Sequence, residues 1–77
     1  MAISGSRELA ELSLISLDAA LAMNPLDPYA LAYRALVHFK IFEAPLLAQP
    51  DIENFKLLNQ PPSDLVELLT IEGLLNS

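Results

Sequence analysis

The segment NPLDP (residues 24–28) places two prolines three positions apart in a chain otherwise rich in leucine and alanine. Proline disfavours helical geometry in the residue before it, so Pro25 ends a preceding helix at about Asn24. Asp27 can then accept hydrogen bonds from the free N–H groups of a new helix. Pro28 suits the first position of that helix, where no N–H is needed. The segment therefore predicts a tight corner between two helices of a hairpin.

Further breaks at proline and glycine divide the rest of the chain. No period-two alternation typical of strands appears. We expect one all-α domain over residues 1–77, built as a small orthogonal or antiparallel bundle of about four helices. Two longer helices form the hairpin and two shorter ones fold back over its open side. The predicted helices span approximately residues 6–23, 28–42, 51–59 and 64–72.

Polar residues mark the expected ends of these helices. Ser4 or Ser6 is a candidate N-cap of the first helix, and Asp51 is the candidate for the third. Asp64 and Glu67 have the spacing of a capping box at the start of the fourth. Two further residues complete the pattern: Pro45 is expected to stop the second helix, and Gly73 to close the last one in a left-handed conformation.

The first helix has apolar residues around most of its circumference. At about 100° per residue, Leu9, Leu12, Ala20 and Met23 share one face. A second stripe, more than 100° away, comprises Leu14, Leu17 and Leu21. So wide an apolar arc predicts a helix that is covered on two sides.

Apolar content is high for a chain of 77 residues. Hydrophobic residues make up 53% of the chain and charged residues 18%, and leucine alone fills 17 positions. Small domains leave a larger share of their surface in water, so they should carry less apolar content than average. The chain also has no cysteine for disulfides. We interpret the surplus as an interface with a protein partner or with further copies of the chain.

The charge balance excludes several kinds of partner. The net charge is −6, and only four cationic side chains are spread along the chain. Without a basic stripe we expect no nucleic-acid binding and no attraction to anionic lipid. No uncharged run of 18 residues is available, so membrane insertion is not expected. A signal peptide's basic start is also missing, and a cytoplasmic location is the default expectation.

Few residues offer chemistry. His38 is the only histidine, and there is no cysteine that it could activate. Three of the four aspartates already have expected roles as helix caps. We expect no catalytic residue, no cofactor and no metal site. His38 is interpreted as a helix residue on a partly buried face, with a pH-sensitive or binding role as the alternative.

Two segments are candidates for binding a partner. Tyr29, Tyr33, Leu36 and Lys40 share one face of the second helix, and tyrosine is a residue type that interfaces favour. The alternative is that these tyrosines cover the core of the other helices.

The second candidate is LVELL (residues 65–69), which fits the pattern of helices that dock in apolar grooves through residues such as Leu65, Leu68 and Leu69. Leucine-rich amphipathic helices often contain this pattern by chance. It therefore favours an ordinary core-facing helix, with a segment inserted into another protein as the alternative.

The stretch LDAALAMNPLDPYALAYRAL resembles the junction between two tetratricopeptide repeats, over roughly residues 17–38. Ala20, Leu21 and Pro25 match the end of one repeat, and Leu31 and Ala35 match the interlocking large and small residues of the next. Two positions depart from that family, which prefers leucine in place of Arg34 and tyrosine in place of His38. The resemblance implies a tightly packed helical hairpin and a role in binding peptide segments.

We therefore expect a non-catalytic protein–protein interaction module, such as a small adaptor, an assembly chaperone or an accessory subunit of a larger complex. The alternative is a self-assembling structural subunit whose helices pack on copies of themselves. A small enzyme or metal-binding protein is a third possibility, for which the sequence offers no converging polar groups.

Overall fold

The computed structural model describes the backbone of residues 2–75 and the side chains of residues 7–75. Its elements are all helical, and no strand occurs within this range. The expected all-α bundle is therefore confirmed. In chain order the elements are α1 (Ala2–Met23), α2 (Pro28–Leu36), a π-helical segment (Val37–Ile41), α3 (Pro45–Lys56) and α4 (Ser63–Ile71).

The corner between α1 and α2 forms as the prolines predict. The Asp27 carboxylate accepts hydrogen bonds from the backbone N–H groups of Tyr29 and Ala30, at 3.1 and 3.3 Å. Asp27 is thus the N-cap, and Pro28 occupies the first turn. The Asn24 side chain accepts from the N–H of Leu26 at 3.3 Å, which holds the turn between the two helices.

α2 is the central helix of the bundle, since α1, α3 and α4 all pack against it. Its small residues allow those neighbours to approach closely, and its core side chains are at most 3% exposed. Leu31 is the large side chain at the centre of this packing. The buried cluster comprises Leu21 of α1, Ala30, Leu31, Ala32 and Ala35 of α2, Ala48, Ile52 and Phe55 of α3, and Leu65 and Leu69 of α4.

α1 is covered on one side rather than on two. Leu21 is buried and Leu14 and Leu17 are partly buried, so this stripe faces the bundle. Of the other stripe, Ala20 is partly buried, whereas the larger side chains Leu9, Leu12 and Met23 are exposed. The expectation of two covered sides is wrong because α1 contacts only α2 and the π segment within the described residues. Ser4 and Ser6 lie inside α1 rather than ahead of it, and their side chains lie outside the described part.

The second predicted helix is regular only as far as Leu36. Beyond it the backbone widens into the π segment, in which the N–H of Phe42 bonds the carbonyl of Val37 at 3.2 Å. Glu43 then adopts a left-handed conformation with φ of 52°, which turns the chain before Pro45. The predicted end near Phe42 therefore holds, but the last turn has a wider helical form.

α3 begins earlier than expected, because Pro45 takes the first turn of this helix as well as ending the segment before it. The predicted span 51–59 is wrong, and Asp51 is an interior residue rather than a cap. Pro50 also lies within the helix. Its missing N–H leaves the carbonyl of Leu46, an exposed residue, without the usual helical partner.

α4 begins at Ser63 without a side-chain cap, since Pro62 occupies the N-cap position. The capping box expected from Asp64 and Glu67 is therefore not formed. The end of the helix forms as predicted: Gly73 has φ of +88°, and the N–H of Leu74 bonds the carbonyl of Leu69 at 2.9 Å. Leu74 packs against the core, as is typical after such a glycine.

One arginine ties three helices together. The Arg34 guanidinium donates two hydrogen bonds to the Asp51 carboxylate, from Nε at 2.8 Å and from Nη2 at 2.6 Å. Its Nη1 donates to Asp18 of α1 at 2.7 Å. The bonds to Asp51 raise the pKa of Arg34 above its ordinary value, although desolvation of the guanidinium opposes the change. Arg34 is thus charged throughout the stability range of the fold and satisfies the buried Asp51.

Candidate functional site

The predicted tyrosine face lies along the side of α2 that its neighbours leave open. Tyr29 is 48% exposed and Tyr33 44%. Their rings stack with centroids 6.4 Å apart and planes inclined by 26°, because residues one helical turn apart lie on the same face. Leu36 is partly buried against the core, and Lys40 is exposed. The structure thus brings all four predicted residues to one side of α2 and the π segment.

α1 forms one wall beside this face. A cavity of about 360 Å³ lies between the two elements. α1 contributes Ser13, Ser16 and Leu17 to its lining, and Tyr33 and Val37 form the opposite side. The lining of this cavity is mostly apolar, and Ser13 and Ser16 are among its polar residues.

A second cavity continues in the direction of α4. Its volume is about 260 Å³, and it is lined by Leu36, Val37, Lys40, Ile41 and Glu72. The Lys40 Nζ lies 2.7 Å from Glu72 Oε1, so an ion pair bridges the π segment and the end of α4. Val37 lines both cavities, so the two lie next to each other along this side of the molecule.

We name the surface formed by these two neighbouring cavities and the stacked tyrosines the tyrosine groove. Its floor is α2 and the π segment, and its walls are α1 and the end of α4. Its charged groups, Lys40 and Glu72, neutralise each other. The tyrosine groove is defined by Ser13, Ser16, Leu17, Tyr29, Tyr33, Leu36, Val37, Lys40, Ile41 and Glu72.

The π segment contributes three residues to the lining of the groove, Val37, Lys40 and Ile41. Single π-helical turns are rare in proteins and are found frequently at functional sites. His38 belongs to the same segment but does not line the groove. Its ring lies 6.4 Å from that of Phe42, and its Nδ1 is buried without a hydrogen-bond partner.

The LVELL segment is placed differently from the tyrosine face. Leu65 and Leu69 are 1% and 0% exposed and belong to the core, and Leu68 is partly buried. α4 uses its apolar stripe to cover α2, as the core-facing interpretation predicts. Leu65 and Leu69 are therefore removed from the candidate partner surface, because binding a partner through them would require α4 to leave the bundle.

Sequence reasoning missed several residues of the groove. Val37 follows Tyr33 by one helical turn, so helical periodicity places it on the tyrosine face, although it was not among the residues predicted to bind a partner. No comparable sequence pattern pointed to the α1 residues of the groove or to Glu72. Glu72 lies 32 positions after Lys40, and only the packing of α4 brings them together.

A third cavity, of about 300 Å³, lies between α3 and the end of α4. Its polar side chains include Gln49, Glu53 and Lys56, all of which are exposed on α3. In the part of the chain whose side chains are described, no three histidine, aspartate or glutamate residues come close enough to hold a metal ion. None of the helices described is both long enough and apolar enough to cross a bilayer.

Comparison with known protein families, with curated proteins and with solved structures found no match to this chain. The resemblance to tetratricopeptide repeats over residues 17–38 stays a prediction, which these comparisons neither support nor contradict.

Proposed function

We propose that this protein is a non-catalytic protein–protein association module, such as a small adaptor, an assembly chaperone or an accessory subunit, and that it binds a partner segment in the tyrosine groove. The observation that carries the proposal is the stacked, half-exposed pair Tyr29 and Tyr33 at the side of an apolar depression. Tyrosine presents a large rigid surface with a polar tip and loses little conformational entropy on binding. Such residues dominate binding energies at protein interfaces.

The tight packing of the helix that carries the two tyrosines also favours binding. Tyr29 and Tyr33 stand on a helix whose opposite side is held by the buried residues Ala30, Leu31 and Ala35. Side chains on so firmly packed an element are positioned before a partner arrives, which lowers the entropic cost of association.

The chemistry of the groove indicates the kind of segment it accepts. Its lining is mostly apolar, and its one ion pair, between Lys40 and Glu72, is internally neutral. The chain as a whole carries a net charge of −6. An amphipathic segment with apolar anchors and flanking basic residues fits both properties, because the field of the protein attracts cations towards an uncharged binding surface.

Capture of binding proteins by the purified chain, followed by mass spectrometry, tests this proposal. The double variant Tyr29→Ala, Tyr33→Ala is compared with the wild type, and Leu46→Ala serves as the control because Leu46 is 79% exposed on α3, outside the groove. We expect a partner that the wild type and the control retain and the double variant loses. Calorimetry with the purified partner should then show binding weakened by about tenfold or more. Equal binding by all three proteins contradicts the groove as the site.

The proposal also includes a location for the protein and a second candidate function. A cytoplasmic location fits a chain without cysteine, since a reducing compartment needs no disulfides. A self-assembling structural subunit is the second candidate function, and the exposed leucines of α1 favour it.

A further inference from the structure

The outward side of α1 carries a regular apolar stripe that the bundle does not use. Leu9, Leu12, Ser16, Ala19 and Met23 follow one another at intervals of three, four, three and four residues, and all five are exposed. We name this stripe the α1 seam. Alternating intervals of three and four keep side chains on one line of a helix, which is the spacing of the contact positions in coiled coils.

Most of the seam faces away from the rest of the chain, although Ser16 also lines the tyrosine groove. α1 packs on the bundle through Leu21 and Ala10, which are buried, and through the partly buried Leu17. At 100° per residue these three lie roughly opposite the middle of the seam. The large side chains of the seam are left in water: Leu9 is 65% exposed, Leu12 61% and Met23 89%.

We propose that the α1 seam pairs with the α1 seam of a second copy of this chain, with the two helices antiparallel about a two-fold axis. The order of side-chain sizes supports this direction. Leu9 and Leu12 lie in one half of the seam, and the small residues Ser16 and Ala19 follow in the other half, before Met23 ends it. Antiparallel pairing sets Leu9 of each copy against Ala19 of the other, and Leu12 against Ser16, so that large side chains fill the space beside small ones in these layers.

Parallel pairing fits the same residues poorly. It sets Leu9 and Leu12 against their own copies and leaves Ser16 and Ala19 against theirs. The leucine layers then hold the helices apart where the small residues require them to approach, which leaves a void.

Charge also permits two copies of this acidic chain to meet here. From Leu9 to Met23 the seam carries no ionisable side chain, and Glu8 lies at its edge at one end. The acids within this part of α1, Glu11 and Asp18, lie more than 100° from the middle of the seam. Asp18 is further paired with Arg34. Self-repulsion is therefore kept away from the contact.

The exposed area matches the lower limit for a specific dimer. Fully burying a leucine, isoleucine or methionine side chain removes on the order of 100 Å² of apolar surface. Leu9, Leu12, Met23 and the flanking Ile15 are between 61% and 89% exposed, so they offer roughly 300 Å² per copy. Because interfaces are about 60% apolar, the dimer buries on the order of 1,000 Å² in total, which suits micromolar self-association.

Sedimentation of the full chain over a range from roughly 1 µM to 1 mM tests the pairing. We expect the wild type to change from monomer to dimer as its concentration rises. Leu12→Lys should weaken dimerisation about 100-fold or more, because a charge then lies against Ser16 of the other copy. Leu46→Lys introduces the same change on exposed α3 and should leave dimerisation unaltered, and circular dichroism verifies that both variants are folded. A wild type that stays monomeric throughout, or equal weakening by both variants, overturns the inference.

The direction of pairing is tested by introducing single cysteines, since the chain has none. Leu12→Cys and Ser16→Cys proteins are oxidised separately and as a mixture. Antiparallel pairing predicts a disulfide in the mixture between position 12 of one copy and position 16 of the other, with at least several-fold less product from either protein alone. Efficient cross-linking of each protein with itself indicates parallel pairing and overturns the inference.

The seam shares Ser16 with the tyrosine groove but includes neither Tyr29 nor Tyr33. The double variant Tyr29→Ala, Tyr33→Ala should therefore dimerise as the wild type does. Loss of partner binding in that variant with dimerisation retained separates the two surfaces, whereas loss of dimerisation in it contradicts the assignment of the contact to the seam.

Discussion

α1 and α2 are both rich in leucine and alanine, yet they are used differently. α2 has nine residues, and its buried side chains Ala30, Leu31, Ala32 and Ala35 form the centre of the core. α1 has 22 residues, but among its described side chains only Ala10 and Leu21 are buried. The number of neighbouring helices makes the difference, since three elements surround α2, whereas in the described part of the chain α1 reaches only α2 and the π segment. Apolar content alone therefore does not identify the core of this chain.

Stability and self-association consequently depend on different side chains. Changes at the buried positions of α2 should affect the free energy of unfolding, and changes on the outside of α1 should affect contacts with a second copy.

The largest effect is expected for Leu31→Ala in α2. Leu31 is fully buried, so the variant loses apolar burial and leaves a cavity, at a cost of about 3–4 kcal/mol. A domain of this size has only about 3–5 kcal/mol in total, so much of the variant should be unfolded. Leu12→Ala in α1 should change the stability by less than about 0.5 kcal/mol. Urea unfolding at low protein concentration measures both, and similar losses for the two variants would contradict the contrast between the helices.

A smaller loss is expected for Asp51→Asn in α3, which removes the charge that faces Arg34. Asp51 is 2% exposed, and its replacement leaves the Arg34 guanidinium without its main counter-charge. Removing one partner of a buried ion pair strongly destabilises a fold, because the remaining charge is uncompensated. Because Arg34 keeps some contact with water and with Asp18, we expect about 2–3 kcal/mol.

The matched control for this pair is Asp18→Asn, whose carboxylate contacts the same arginine from an exposed position on α1. Exposed ion pairs contribute little, so this variant should lose less than about 1 kcal/mol. If thermal unfolding shows equal losses for Asp18→Asn and Asp51→Asn, burial is not what sets the strength of these contacts.

The corner between the two helices is tested by Asp27→Ala. The variant removes the acceptor for the N–H groups of Tyr29 and Ala30 and should lose about 1 kcal/mol. Asp64→Ala is the control, because Asp64 caps nothing at the start of α4. Chemical denaturation should show the loss for Asp27 alone, and an unchanged Asp27→Ala variant would show that the prolines suffice to form the corner.

The smallest effect is expected for Lys40→Ala at the tyrosine groove. Its ion pair with Glu72 lies at the surface, so the variant should lose no more than about 0.5 kcal/mol. The difference from the wild type should shrink further at high salt, because exposed charges are screened. A large loss that salt does not reduce would indicate that Lys40 supports the packing of α4 rather than a partner surface.

Much of the local structure follows from the sequence alone. The corner at NPLDP needs only the geometry of proline and the carboxylate of Asp27, and Gly73 ends α4 because glycine adopts a positive φ without steric cost. These features depend on residues a few positions apart. The tyrosine face follows from helical periodicity in the same way, since Tyr29 and Tyr33 are separated by one turn.

Asp51 shows where local reasoning ends. Its position after Pro50 is typical of a cap, but Arg34 of α2 offers a bidentate partner in the interior of the bundle, and α3 runs through both residues from Pro45. The same limit applies to Glu72, which reaches Lys40 only because α4 packs on α2.

The sequence by itself determined the helical class, the corner between α1 and α2, the end of α4 and the alignment of the two tyrosines. Only the tertiary structure decided which leucines are covered, because Leu12 and Leu65 are chemically identical and differ in whether another helix lies beside them. Burial depends on neighbours distant in the chain, and residue type and spacing record only the tendency to be buried.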